Sequence, residues 1–452
     1  MNGMLTVFRN AWVDTQLRKK ILYTLFIIVL FRLGSSIFVP FLNNSAISGM
    51  LSGASLMNYL DVMTGGALSK GTLLAMSITP YINASIIIQL LTVAIPPLER
   101  LSKEGEEGRK KLNTITKLTT LGIAIFQATA FYFTLRNGYT DDNNRHVALL
   151  KYGDVFDSSS DMFSIILTAI TIVACFVAGS SIIIWLGDRI NEKGIGNGIS
   201  MILFAGIVAQ VPEAIRTFVR LCQQDMKNIL FVALVCVIFC IMIWFVIFMT
   251  NAERRIPVQY AKRVVGRKMY GGQSTHIPIK VAMSGVMPII FAMSLMSLPQ
   301  TICFFFGIRG DGTSGHDFWE GFVQFFSTQS PFYAIIYFLL IIAFNYFYVA
   351  ITYNPIEIAN NLKKNNGAIP GYRPGKPTSD FIYNSLNKIT LIGAIFLGVI
   401  AIFPIILSWT NRNFSGLSLG GTTMLIIVGV ALETVRSLES QIMMRHHPGF
   451  LD

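Results

Sequence analysis

The chain has 452 residues, of which 53% are hydrophobic and only 13% are charged, whereas soluble domains carry about 25% charged residues. This composition excludes an ordinary soluble protein and predicts a polytopic membrane protein, because long segments without Asp, Glu, Lys or Arg suit a hydrocarbon environment. The formal net charge is +12, so the positions of the basic residues along the chain carry information about sidedness.

Ten apolar runs are long enough to cross about 30 Å of hydrocarbon at roughly 1.5 Å per residue. In chain order, spans 1 to 10 are 21–40, 72–95, 117–136, 162–187, 198–219, 229–250, 282–306, 331–353, 388–409 and 417–437. The predicted fold class is therefore an all-α polytopic membrane protein. The first run follows a basic cluster as a signal peptide would, but its length and the missing small-residue cleavage pattern indicate a retained helix.

The Lys and Arg residues between the spans fall into two unequal sets. Alternate connections, beginning with the amino terminus and including 251–281 and 354–381, hold 25 of them, whereas the other connections hold nine. The positive-inside rule predicts that both termini and these two basic loops are cytoplasmic. An even number of spans agrees with this, since both ends then fall on one side.

The connection 41–71, between spans 1 and 2, contains a short helix-like patch at 55–68. Its apolar members fall at helical spacing around one acid, Asp61. The patch could be a re-entrant or interfacial turn, or it could be a movable stopper, since short and weakly packed segments open easily. The residues alone do not choose between these interpretations.

Span 2 carries Pro80 in its interior, which predicts a kink because proline removes a backbone donor. The polar residues Asn83, Ser85 and Gln89 follow closely. In lipid they need partners on neighbouring helices or a watery cavity. Span 2 is therefore either a kinked packing helix or a hinge beside a path through the protein.

Two cytoplasmic loops are unusually basic. The 251–281 loop has seven basic residues against the single acid Glu253, and its tyrosines and glycine pair indicate a structured projection. The 354–381 loop adds four basic residues around IPGYRPGKPT, where prolines and glycines favour an irregular exposed shape. The pair predicts a docking surface for a large acidic or nucleic-acid partner.

Chemically reactive groups are sparse in the spans. Spans 2, 3, 4, 6, 7, 8 and 9 have no charged residue in their central parts, and the exceptions are Arg32 in span 1 and Glu433 with Arg436 toward the cytoplasmic end of span 10. The cysteines form no C-x-x-C pair, and no Walker sequence is present. We therefore expect no catalytic site, no metal and no cofactor. An ion-coupled transporter is disfavoured, because it needs ionisable groups at depth, and the driving force is expected to come from a partner.

Six segments, in order across nearly the whole chain, closely resemble the bacterial SecY family, the channel subunit of the general secretion translocon. They are ITPYINASIIIQLL at 78–91, KEGEEGRKK at 103–111, GIGNGIS at 194–200, AKRVVGRKMYGGQSTHIPIK at 261–280, GVMPIIFA at 285–292 and NPIEIANNLKKNNGAIPGYRPGKPT at 354–378. The resemblance implies two pseudo-symmetric, mutually inverted five-helix halves around a central pore, with a lateral gate beside spans 2 and 7. The halves would be 1–220 and 221–437, followed by a cytoplasmic tail at 438–452.

The resemblance also implies roles for individual residues. The pore ring would consist of Ile78, Ile82, Ile86, Ile199, Leu203, Ile290 and Ile426. The polar residues of the lateral gate would be Asn83, Ser85 and Gln89. The plug would be 55–68, with the apolar residues Leu56, Tyr59, Leu60 and Met63. Docking to the ribosome or the motor ATPase SecA would use Arg254, Arg255, Lys262, Arg263, Arg267, Lys268 and Arg373.

The implied function is a passive protein-conducting channel in the bacterial plasma membrane. A collar of branched aliphatic side chains would exclude ions by dewetting while it admits an extended peptide, and transmembrane segments would leave sideways into lipid. The implied partners are SecE, SecG, SecA, the ribosome, signal sequences, nascent polypeptides and membrane lipids. Two alternatives are an ion-coupled secondary transporter of small solutes and a ribosome-binding scaffold without a pore.

Overall fold

The structure, a computed structural model, describes residues 12–44, 46–47, 49, 61, 64–140, 146–152, 161–224, 226–260, 263–265, 268–270, 274–305, 317–326, 330–410 and 421–446. Its helices are α1 (Thr15–Gly34), α2 (Thr79–Ala94), α3 (Pro96–Lys103), α4 (Glu106–Arg136), α5 (Met162–Lys193), α6 (Gly198–Val208), α7 (Val211–Gln224), α8 (Met226–Asn251), α9 (Met287–Phe305), α10 (Asp317–Phe325), α11 (Pro331–Thr352), α12 (Pro355–Lys364), α13 (Lys376–Thr410) and α14 (Gly421–His446). Its strands are β1 (Tyr139–Thr140), β2 (His146–Val147), β3 (Glu253–Tyr260), β4 (Arg263–Val265), β5 (Lys268–Tyr270), β6 (Ser274–Lys280) and β7 (Gly367–Ala368).

Each predicted span overlaps a helix, in the order α1, α2, α4, α5, α6, α8, α9, α11, α13 and α14, and span 5 also includes part of α7. By length and composition, five helices of the described chain can cross a membrane: Glu106–Arg136, Met162–Lys193, Val232–Asn251, Pro331–Lys364 and Lys376–Phe403. The pair α2 and α3 forms a sixth candidate that is bent by 101°. Two shorter apolar helices cover spans 5 and 7. The predicted all-α polytopic membrane architecture is confirmed.

The outer surfaces of these helices are apolar. Leu118 on α4, Phe163 on α5, Trp244 on α8 and Leu339 on α11 are all exposed. Large apolar side chains on the outside suit lipid, where neighbouring tails are as apolar as leucine. The inward faces of the helices meet in one large hydrophobic cluster, to which α1, α2, α5, α6, α8, α9, α11, α13 and α14 contribute.

Pro80 lies in the first turn of a helix and not in its interior, so the predicted kink in span 2 is wrong. The residues before it are irregular, and Ser77 has a positive φ of 48°. Helix α2 begins at Thr79, which puts Pro80 in the first turn, where its missing N–H is not needed. The sharp bend instead follows Ala94, where Ile95 is extended and α3 begins at Pro96.

Span 5, predicted as 198–219, is two helices rather than one. Helix α6 ends at Val208, and α7 begins at Val211 after a turn. Pro212 explains the break, because it has no N–H to continue the α6 ladder but fits the first turn of α7. The boundary predicted at 220 therefore lies inside α7 rather than in a short turn.

The GIGNG segment at 194–198 joins α5 to α6 at very close range. The Asn197 side chain caps α6 by accepting the N–H of Ile199 at 3.1 Å and of Ser200 at 3.4 Å. A Cβ at Gly198 would lie only 1.9 Å from the Gly187 carbonyl oxygen, so this crossing needs glycine. The segment thus fixes the start of α6.

The two basic loops share one small sheet. Strands β3 and β6 pair antiparallel, from Glu253 opposite Lys280 to Gln259 opposite Ser274. The short β7 of the second loop pairs antiparallel with the end of β3. A separate hydrophobic cluster of the sheet with α12 and α13 supports it. The predicted structured projection is therefore found, and it includes part of both loops.

Candidate functional site

The seven predicted ring residues lie together. Ile78 is the N-cap of α2, and Ile82 and Ile86 follow it on one face, as their four-residue spacing requires. The others come from α6, α9 and α14, and all except Ile199 are buried. Six of the side chains belong to the central hydrophobic cluster, and the partly buried Ile199 packs against it.

This arrangement brings branched aliphatic side chains from four helices into one hydrophobic cluster. The set contains six isoleucines and one leucine, Leu203. Branched aliphatic groups offer an ion no ligand, so a constriction made from them stays dry when narrow. They also present a smooth apolar surface to any chain that passes.

The predicted gate residues separate into two environments. Gln89 Nε2 donates a hydrogen bond to Ser85 Oγ at 3.0 Å, so these two residues of α2 satisfy each other. Asn83 is only 4% exposed, and its Oδ1 has no hydrogen-bond partner in the described part of the chain. An unsatisfied buried carbonyl oxygen costs free energy. The contact between α2 and its neighbours is therefore less stable at Asn83 than a fully hydrogen-bonded contact would be.

Asn83 lines a cavity of about 60 Å³ between α2, α4 and α9. The lining residues are Thr64, Leu68, Ala75, Met76, Thr79, Asn83, Gln127, Phe131, Ser297, Leu298 and Thr301. The cavity is therefore lined by side chains from spans 2, 3 and 7 and from the carboxyl-terminal end of the 55–68 segment. It marks the point where the predicted gate and the predicted plug meet.

Sequence reasoning missed Gln127, Ser297 and Thr301 of this cavity. Ser297 and Thr301 donate their hydroxyls to carbonyls one turn earlier in α9, at 2.8 and 2.7 Å, so each is satisfied within its own helix. Gln127 is buried on α4. The sequence does single out Gln127, because it is the one amide side chain within the apolar run 117–136.

The predicted plug residues Leu56, Tyr59, Leu60 and Met63 lie outside the described residues. Of the 55–68 segment, Asp61 and residues 64–68 are described, and Thr64, Ala67 and Leu68 are buried. Leu68 belongs to a second hydrophobic cluster with residues of α4 and α5. The described end of the segment is therefore packed inside the protein.

Of the seven predicted docking residues, two lie in the sheet of the two basic loops. Arg254 and Arg255 are exposed on β3, and Arg255 also pairs with Glu253 at 2.8 Å. Arg263 and Lys268 lie on β4 and β5, which form a short hairpin of their own, while Lys262 and Arg267 lie outside the described residues. Arg373 is exposed in the second loop.

The base of this sheet is tied to α14. Arg436 Nη2 donates hydrogen bonds to the Thr250 carbonyl at 2.6 Å and to Asn251 Oδ1 at 2.9 Å. Partial burial lowers the pKa of Lys280, and the nearby charge of Arg436 lowers it further, whereas Glu253 raises it. Lys280 and Arg436 therefore lie near each other at the root of the sheet, where burial and the charge of Arg436 both disfavour the charged form of Lys280. No cluster of three or more His, Cys, Asp or Glu side chains that could hold a metal occurs among the described residues.

Comparison with known proteins agrees with this geometry. The SecY family model matches residues 72–435. The chain is 41% identical to the protein translocase subunit SecY of Streptomyces scabiei over 459 aligned residues, covering 99% of this chain and 100% of that one.

Two solved structures share the fold, and each alignment covers 97% of this chain and 96% of the other. One is a SecY protein whose plug domain stabilises the closed translocation channel and maintains a membrane seal, with a TM-score of 0.66 and 20% identity. The other is Sec61 in the canine ribosome-channel complex from the endoplasmic reticulum, with a TM-score of 0.62 and 20% identity. The chain therefore belongs to the SecY family and is a multi-pass membrane protein that forms a protein-conducting channel.

Proposed function

We propose that unfolded secretory polypeptides cross the membrane through the collar formed by Ile78, Ile82, Ile86, Ile199, Leu203, Ile290 and Ile426. The observation that carries this proposal is the convergence of these side chains, from four helices, in one central apolar cluster. A chain without ionisable groups at this point can hold back ions and still pass a peptide. The 55–68 segment would close the collar from the non-cytoplasmic side.

Hydrophobic segments would leave sideways between α2 and α9. These helices contact each other, and the cavity around Asn83 leaves their contact incompletely packed. A signal sequence that enters here would bury its apolar surface, and this burial stabilises the bound state by about 25 cal/mol per Å². Asn83, Ser85 and Gln89 would then serve as the polar residues of a gate that opens toward lipid.

The chain itself would contribute no fuel and no catalysis. Translocation would be driven by SecA, which hydrolyses ATP, or by elongation at the ribosome, and SecE and SecG would be neighbouring subunits. The exposed basic sheet supports docking, because lysine and arginine suit both ribosomal RNA and acidic protein surfaces. The ribosome complex of the Sec61 relative supports the same partner for this chain.

The membrane would be the bacterial plasma membrane, with both termini in the cytoplasm. The excess of Lys and Arg in the alternate connections supports this orientation. It places 41–71 and α7 on the outer side. Thiol labelling of single cysteines in 251–281 and in α7 tests the orientation. On intact cells, a membrane-impermeant maleimide should label the cysteine in α7, whereas only a membrane-permeant one should label the cysteine in 251–281.

Reconstitution in liposomes tests the proposed function. Liposomes that contain the purified chain with SecE and SecG should take up an unfolded secretory protein when SecA and ATP are both present. Flux of a small solute coupled to an ion gradient would favour the transporter instead. Ribosome binding without either activity would favour the scaffold.

A further inference from the structure

Arg32 is a charged residue of span 1 to which the ring, the gate and the docking sheet give no role. It lies in the last turn of α1. Its Nη1 donates a hydrogen bond to the main-chain carbonyl of Gly65 at 2.9 Å. Since Gly65 belongs to the 55–68 segment, the guanidinium connects α1 directly to the proposed plug.

Gln210 makes a second connection of the same kind. It follows α6, and its Nε2 donates a hydrogen bond to the main-chain carbonyl of Asp61 at 2.9 Å. Helix α6 also carries the ring residues Ile199 and Leu203. Arg32 of α1 and Gln210, just after α6, therefore each hold one carbonyl of the same segment.

The held segment keeps its shape through its own hydrogen bonds. The Asp61 carbonyl also accepts the Thr64 hydroxyl and the Gly66 N–H, both at 2.9 Å. Asp61 Oδ1 accepts the Ser69 N–H at 2.7 Å. These bonds tie Asp61 to residues 64–69, so the described end of the segment forms one hydrogen-bonded turn.

Gly65 lets this turn lie directly against α6. Its φ of +71° suits glycine, and a Cβ there would lie 2.8 Å from the Gly206 carbonyl oxygen and 3.2 Å from Arg32 Nη1. Contacts as short as the first do not occur for real side chains. The glycine therefore permits the approach that brings its carbonyl within reach of Arg32.

We infer that Arg32 and Gln210 are positioning residues that latch the carboxyl-terminal end of the plug in the closed channel. The inference rests on the proposed role of 55–68. Arg32 is an exposed residue and Gln210 a partly exposed one, so water replaces the lost hydrogen bonds when the plug leaves, and the latch is reversible. The acceptors are main-chain carbonyls, so substitution of the two donors weakens the latch without changing a side chain of the segment itself.

Thiol labelling measures the latch directly. The five natural cysteines are replaced by serine, and Ala67→Cys, a buried position of the turn, is introduced as the reporter. The channel with its partner subunits is reconstituted in liposomes and treated with a membrane-impermeant maleimide. Arg32→Met and Gln210→Leu should each raise the labelling rate about tenfold, as expected for one hydrogen bond. Both should still translocate an ordinary secretory protein.

Two further variants control for charge and for folding. Arg32→Lys keeps a charged donor and should restore most of the protection, whereas a purely structural role of the guanidinium would not be rescued. Arg216→Met removes an exposed arginine of α7 and should leave the labelling rate unchanged. If Arg32→Met does not accumulate, Gln210→Leu and Arg32→Lys carry the test.

The outcomes separate the latch from the pore. Unchanged labelling in both single variants and in the double variant overturns the latch. If Ile82→Gly raises ion leak while the latch variants neither leak nor label faster, the latch is wrong and the pore stands. If the latch variants label faster while Ile82→Gly does not leak, the latch stands and the ring is wrong.

Discussion

Ile82 and Ile87 stand on the same helix, yet Ile82 is 7% exposed and Ile87 is 39% exposed. Five residues turn an α-helix by about 140° beyond one full turn. Ile82 therefore points into the central cluster, and Ile87 points away from it. The two isoleucines form a matched pair for testing which face of α2 seals the channel.

Ile82→Gly should raise ion leak through the resting channel, because it removes a branched side chain from the proposed collar. Ile87→Gly carries the same cost to the helix, about 1 kcal/mol, but should leave the leak unchanged. Ile426→Asn, at a fully buried position of α14, should leak as well, because its amide attracts water. Dye or chloride efflux from liposomes measures all three, and equal leak from both glycine variants would refute the ring.

Asp61 is another residue whose charge and hydrogen bonds can be separated. Burial raises the pKa of its carboxyl group, while hydrogen bonds from Ser69 and Leu68 and the charge of Lys70 oppose the rise. A raised pKa means that the charged form is disfavoured in the closed position. The closed position is therefore stabilised as the pH falls toward and below that pKa.

Asp61→Asn should leave the channel as tightly closed as before, or more tightly, because it keeps the Oδ1 acceptor for Ser69 and removes the buried charge. Asp61→Ala loses the acceptor and should increase ion leak roughly two- to tenfold. The leak of the unaltered channel should decrease as the pH is lowered, and the asparagine variant should lose this dependence. A leakier asparagine than alanine variant would contradict this account.

At the scale of elements, the sheet of the two basic loops is the feature that the structure shows and the sequence alone does not predict. Either loop alone suggests a projecting basic hairpin or coil. The pairing of β7 with β3, through Gln259 opposite Ala368 and Tyr260 opposite Gly367, puts the charges of both on one body. The prediction is that a partner docked at this sheet meets basic residues of both loops.

Arg254→Ala and Arg373→Ala should each weaken ribosome binding at moderate salt. If each arginine meets one phosphate, each substitution should also lower the slope of log affinity against log salt by about one. Lys151→Ala is the control, since Lys151 is exposed and belongs to a connection predicted on the other side of the membrane. Binding assays with vacant ribosomes across a salt series test this, and an equal effect of all three substitutions would rule out docking at the sheet.

The elements that the sequence predicts well are those set by local physics. Apolar length fixes the helices, and the alternation of buried Ile256 and Val258 in β3 agrees with a supported strand. Pro80 misled because proline marks both a kink and a first turn, and only the irregular residues before it decide between them. The β7 pairing joins residues that are more than a hundred positions apart, which no local pattern encodes.

The residues of the candidate site also divide into those identified from the sequence and those that only the structure shows. The ring residues were identified through the family resemblance, because a buried isoleucine looks like any other packing residue. Gln127, Ser297 and Thr301 were missed because their importance comes from meeting across helices at one cavity. The latch donors Arg32 and Gln210 bind main-chain carbonyls, and such acceptors leave no mark on the sequence.

For the whole molecule, the contacts between helices within the proposed carboxyl-terminal half differ from the contact between α2 and α9. Within that half, Asn345 of α11 accepts the Ser284 hydroxyl and donates to the Thr390 carbonyl of α13 at 2.9 Å. At the seam between α2 and α9, by contrast, a cavity adjoins the unsatisfied Asn83. A polypeptide that pushes the proposed halves apart should therefore separate them at this seam first.

A chemical cross-link across that seam should stop translocation. With the natural cysteines replaced by serine, Asn83→Cys and Ser297→Cys face one cavity from α2 and α9, and a short bifunctional maleimide should join them and hold the proposed halves together. Asn83→Cys with Gln127→Cys uses the same cavity but joins α2 to α4 within one half, so its cross-linked form should still translocate. SecA-driven uptake of a secretory protein into liposomes, before and after cross-linking, compares the pairs. If the seam pair stays active when fully cross-linked, the chain must pass without α2 and α9 moving apart, and the gate belongs elsewhere.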